Sequence, residues 1–134
     1  ALHGIDQASA LAELVVLQRS SPAEPARAAE RARCTAELAQ LAASFPIPYV
    51  RAQDLRLGAL AARDAGDLRS ADQRGQEAIR LMRDAQCSTA LSEILREASE
   101  LCQLLGEGER ARQLAQESVE AGTTARAPSP TASR

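Results

Sequence analysis

Six residues, Gly66-Asp67-Leu68-Arg69-Ser70-Ala71, return forty positions later as Gly106-Glu107-Gly108-Glu109-Arg110-Ala111. Each copy opens on glycine, follows it with an acid and closes on alanine. Glycine suits the left-handed backbone that ends a helix. An acidic residue behind it suits the start of the next helix. Seven residues past each alanine stands another small residue, Ala78 or Ser118, and ahead of each glycine Leu55 matches Leu95 and Arg56 matches Arg96. The pattern predicts a helical hairpin written twice, with small residues where the two backbones approach. One hairpin leaves an apolar face uncovered, so hairpins of this kind stack on neighbours.

Proline and glycine divide the rest of the chain into helical stretches. Ala8, Leu11, Leu14 and Val15 recur at helical spacing and predict a first helix from about Asp6 to Arg19. Ser21, Pro22 and Glu24 form a capping box with proline at the first helical position, which predicts a second helix reaching Ala43. Its apolar face is Ala28, Ala32, Leu38, Ala39, Leu41 and Ala42, with Arg27, Glu30, Arg31 and Arg33 outward. Pro48 starts a third helix that Gly66 ends, and Asp67 caps a fourth carrying Ala71, Ala78, Ile79 and Met82. Ser88 or Thr89 is expected to cap a fifth, and a sixth runs from about Glu109 to Ala121. The expected organisation is one all-α domain over 1–122: a degenerate first hairpin, 5–44, and repeats 47–86 and 88–122. Residues 123–134, with Pro128 and Pro130 and little to bury, are expected to be disordered.

Composition excludes several functions. Aromatics are 1% of the residues, too few for an all-β fold. The net charge of -2 argues against direct nucleic-acid contact. No apolar run approaches the roughly 20 residues of a membrane span, and the start, Ala1-Leu2-His3-Gly4-Ile5-Asp6, lacks a basic region followed by an apolar stretch. The expected location is cytoplasmic. All 16 basic residues are arginine and asparagine is missing, which points to a high-GC, bacterial genome. Cys34, Cys87 and Cys102 lack CxxC spacing and are expected as small buried residues, and the sole histidine, His3, has no paired metal ligand or nucleophile. Gly106-Glu107-Gly108 lacks the remainder of a phosphate loop. The chain is expected to be no enzyme and to use no metal and no cofactor.

From Pro48 to Ala121 the chain resembles the tetratricopeptide repeat family. The resemblance rests on the two glycine turns and on small residues at Ala59/Ser99, Ala71/Ala111 and Ala78/Ser118. Gly75 and Ala115 stand where a large ring is common in the family, and the period is forty instead of about 34. This longer form, rich in Ala, Leu and Arg, is similar to the MalT-type region of bacterial signalling ATPases and LuxR-type regulators. The resemblance implies a right-handed superhelix of about six helices, whose first helices line a groove for a peptide. Carried over position by position, the groove is Gln53, Arg56, Leu57, Leu60 and Arg63, then Glu93, Arg96, Glu97, Glu100 and Gln103.

Arg56 and Arg96 fall at equivalent positions, which suggests a grip on an acidic or C-terminal carboxylate segment of a protein partner. The plainer expectation is that these arginines pair with Glu93, Glu97 and Glu100. Along single helices, Glu77–Arg80, Glu93–Arg96 and Glu107–Arg110 are expected ion pairs. An adaptor or regulatory module is the expected function, and a ligand-sensing segment of a LuxR- or MalT-like regulator or signalling ATPase is its rival. A homo-oligomer is a third expectation, through Leu11, Leu14, Val15 and Leu17 at one end and Leu114 and Val119 at the other.

Overall fold

A computed structural model describes residues 2–19 and 25–126. Among the described residues the secondary structure is all helical: α1 (Leu2–Arg19), α2 (Pro25–Ser44), α3 (Pro48–Asp64), α4 (Leu68–Ala85), α5 (Ser88–Leu104) and α6 (Gly108–Arg126). The Ser21-Pro22-Glu24 start signal lies outside the described residues.

The two glycine turns repeat bond for bond. Gly66 N–H donates to the Arg63 carbonyl at 3.0 Å and Asp67 N–H to Ala62 at 2.8 Å. Forty residues later Gly106 donates to Gln103 at 3.1 Å and Glu107 to Cys102 at 2.9 Å. This is a Schellman end, and it needs a left-handed residue. Gly66 and Gly106 supply it with φ of 86° and 79°. The following caps differ. The Asp67 carboxylate accepts from Ser70 N–H at 3.2 Å, whereas Glu107 turns to Arg110.

Three boundaries depart from expectation. α1 begins at Leu2 instead of near Asp6. α5 is preceded by Cys87 as N-cap, without a side-chain cap bond, because left-handed Gln86 (φ 56°) closes α4 and Cys87 leads straight into the helix. Ser88 and Thr89 are therefore already inside it. α6 continues through 122–126 instead of stopping near Ala121. Thr123 and Thr124 hydroxyls donate back to the carbonyls of Val119 and Glu120, which satisfies the two side chains within the last turns. Residues 127–134 lie outside the described residues.

Side-chain pairs give the helix directions. On α5 and α6, Ser92 meets Ser118 and Ser99 meets Ala111, so the partners run in opposite order and the two helices are antiparallel. On α1 and α3, Ser9 meets Tyr49 and Arg19 meets Asp64, so these two run parallel. On α3 and α5, Arg56 meets Glu97 and Arg63 meets Glu100, again parallel. Asp72 with Arg110 and Arg83 with Glu117 give the same direction for α4 and α6. The main core runs from α1 to α5 and includes the fully buried Leu38, Leu57, Met82, Leu95, Val50 and Cys34. A smaller cluster of Ala62, Ala71 and Leu101 closes the turn end of the last two hairpins.

Small residues sit at the close approaches. Ala71, Ala78 and Ala111 are buried. In the last hairpin Ser92 and Ser118 replace Ala52 and Ala78 of the previous one. Each serine hydroxyl donates to the other's carbonyl at 2.7 Å, so the exchange adds two interhelical bonds without adding bulk.

Candidate functional site

α1, α3 and α5 present a common face, and polar side chains tie them together beneath it. Ser9 of α1 shares a hydrogen bond with the Tyr49 hydroxyl of α3. Gln53 Nε2 donates to that hydroxyl at 3.1 Å, and Gln53 Oε1 accepts from Arg56 Nη1 at 3.3 Å. Arg56 then crosses to α5: its Nε donates to Glu97 Oε1 at 2.8 Å and its Nη2 to Glu97 Oε2 at 2.5 Å. Glu93 Oε2 lies 3.5 Å from Nη1. The Arg56 side chain is 4% exposed and that of Glu97 10%. Burial, the largest single influence, would lower the guanidinium pKa, but the Glu97 hydrogen bonds and the nearby charges of Glu97 and Glu93 together outweigh it and hold the group above its ordinary value.

Above this strut lies a groove in two connected parts. One, of about 290 Å³, is bounded by Glu13, Val16 and Leu17 of α1, Arg56 of α3, and Glu93 and Arg96 of α5. The other, of about 170 Å³, extends past Tyr49 and Gln53 to Cys87, Thr89 and Ala90, and shares Glu13, Arg56 and Glu93 with the first. Leu17 is 70% exposed at its edge.

The residues singled out from sequence take different places. Gln53 and Arg56 form the groove floor and are buried. Leu57 and Leu60 are buried in the core. Arg63 is turned to Glu100, with Nη1 to Oε1 at 3.3 Å. Arg96 is on the rim, and its Nη1 reaches Glu100 Oε2 at 3.1 Å. Glu100 thus bridges two arginines, while Gln103 is exposed beyond them. Arg56 and Arg96 do share one wall, but Arg56 offers its donors inward to Glu97. On single helices the Glu77–Arg80 and Glu107–Arg110 pairs form. The expected Glu93–Arg96 pair does not: Glu93 turns across to Arg56 of α3, and Arg96 pairs instead with Glu100, one turn further along α5.

Sequence reasoning missed the α1 wall, Glu13, Val16 and Leu17. α1 lacks the glycine turn that marks the other two hairpins, so nothing aligns it with them. The available signal was that Glu13 and Leu17 fall off the face set by Ala8, Leu11, Ala12 and Val15.

Cys34 and Cys102 are buried, and burial pushes both thiols up from their ordinary pKa. Among the described residues no three His, Cys, Asp or Glu side chains gather to hold a metal ion, and no helix is long and apolar enough to cross a membrane. No protein-family model matches the chain, and the searches of curated proteins and of solved structures return no match.

Proposed function

We propose that this chain is a tetratricopeptide-like helical-hairpin module that binds a segment of a protein partner in the α1/α3/α5 groove, serving as an adaptor or regulatory element. The observation that carries the reading is the groove itself: three parallel helices, a hydrogen-bonded floor, and an exposed leucine on the edge. A floor locked by Arg56, Gln53 and Tyr49 presents a preformed surface, which lowers the ordering cost of binding. Val16 and Leu17 offer an apolar seat, where association gains most from excluded water. Arg96, 56% exposed, retains donors for a polar group of the partner. Arg56 serves as a support in this reading and not as the anchor for a carboxylate, because Glu97 already occupies two of its donors.

The test is affinity capture from a bacterial host lysate with the full chain, followed by measurement of the recovered partner's affinity. Leu17→Asp and Arg96→Ala each lie on the rim and leave the floor intact. Each is expected to weaken binding by tenfold or more, about 1.4 kcal/mol. A partner that binds both variants as tightly as the parent chain removes the groove from consideration.

A further inference from the structure

On the other side of α3, helices α1, α2 and α3 line a separate, open hollow of about 470 Å³. Small-molecule sites occupy about 300–1,000 Å³, and this one has the volume of about fifteen waters. Val15, Leu57 and Leu60, all buried core residues, form its apolar base. Ala32, Ala36 and Ala39 of α2 line the facing wall. They are exposed, so larger side chains there would fill the space.

One end of the hollow carries charge. Arg19 Nε donates to Asp64 Oδ2 at 2.8 Å and Nη2 to Oδ1 at 2.7 Å, a two-pronged pair that neutralises both groups. Arg31 stands at the same end and lines the hollow with them. Its described hydrogen bond runs from Nη1 to the Gln18 carbonyl at 3.3 Å. A guanidinium has five N–H donors, so this contact leaves others for a ligand. The three groups together sum to one positive charge beside an apolar trough. An occupant that matches both has an anionic head and a hydrocarbon body.

We propose that the hollow between α1, α2 and α3 binds a small aliphatic carboxylate, its head on Arg31 and its chain along the α2 alanines. The carboxylate accepts two parallel N–H bonds, the geometry guanidinium favours. The chain displaces water from Val15, Leu57 and Leu60. This site is independent of the groove on the α1/α3/α5 face.

The experiment is calorimetric titration of the full chain with decanoate, kept below micelle-forming concentrations. The expected result is one saturable site. Arg31→Gln weakens it at least tenfold, and decanol, which keeps the chain without the charge, binds at least tenfold more weakly than decanoate. Ala36→Leu fills the hollow and weakens binding tenfold or more. Ala32→Leu fills it from a neighbouring turn and replaces Ala36→Leu if that variant fails to fold by circular dichroism. Arg112→Ala, on the far hairpin, binds as the parent does. Failure to saturate, equal affinity in the filled variants, equal affinity for decanol, or weakening by Arg112→Ala would each overturn the proposal.

Discussion

Truncating Glu97 to alanine leaves Arg56 charged, 4% exposed and without its two-pronged partner. Breaking a buried ion pair from one side costs about 3–5 kcal/mol. Glu93 moderates the loss, since its carboxylate already stands 3.5 Å from Arg56 Nη1. It is 44% exposed and engages a single nitrogen, so the expected cost stays near the lower bound, about 3 kcal/mol. For a domain of this size that lowers the melting temperature by about 10 °C. The assay is urea unfolding followed by far-ultraviolet circular dichroism, because the chain has no tryptophan and one tyrosine. The double variant Arg56→Met with Glu97→Leu removes both charges and should return to within about 1 kcal/mol of the parent. A loss below about 1 kcal/mol for Glu97→Ala alone would contradict a buried, load-carrying pair. Arg56 would then be solvated and open to a ligand carboxylate.

Ser118→Ala removes one of the two reciprocal bonds to Ser92 and should cost about 1 kcal/mol in the same assay. Ser92→Ala added to it should cost less than the sum, since the hydroxyls also meet each other at 3.3 Å. Gly106→Ala should cost about 1–2 kcal/mol from backbone alone, because φ is 79° and nothing lies within 4 Å of the added Cβ. Gly108→Ala, which also meets open space but has no positive φ, should be neutral or slightly stabilising. The Arg19 hydrogen bonds hold the Asp64 carboxyl below its usual pKa. Its contribution is therefore full above the unfolded value of about 4 and lost as pH falls through the lower folded value. Asp64→Asn should be less stable than the parent at neutral pH, by under about 1 kcal/mol for so exposed a pair. That gap should close in acid; a gap independent of pH would contradict the assignment.

The last two hairpins are legible because their glycines do a job few other residues do well. A left-handed backbone at Gly66 and Gly106 is a local requirement, visible without knowing what packs nearby. Gln86 adopts the same conformation with no such marker, so the sequence points to Ser88 or Thr89 as the cap of α5 although Cys87 holds that place. The alanines divide by position. Ala71 and Ala111 both lie buried inside their hairpins, but Ala115 is exposed while its counterpart Gly75 faces α5 across a shared pocket. Composition cannot tell those cases apart, because only the stacking order decides which face is covered.

The site shows the same limit. Arg56 and Arg96 stand at equivalent repeat positions, and the sequence shows them as a matched pair. Their surroundings differ because Arg56 has a following hairpin that supplies Glu97, whereas Arg96 lies on the last hairpin described and meets only Glu100 of its own helix. Long-range pairing is invisible to helix periodicity, which sees (i, i+3) and (i, i+4) neighbours alone. Periodicity therefore pairs Glu93 with Arg96, whereas Glu93 faces Arg56 of α3.

The claim that the α1/α3/α5 face is the binding surface is tested most directly by amide hydrogen exchange with and without the captured partner. Slowed exchange is expected to concentrate on the α1 segment from Ser9 to Leu17 and the α5 segment from Thr89 to Arg96, with α6 unchanged. Protection confined to α4 and α6, with α1 and α5 unaffected, would contradict it.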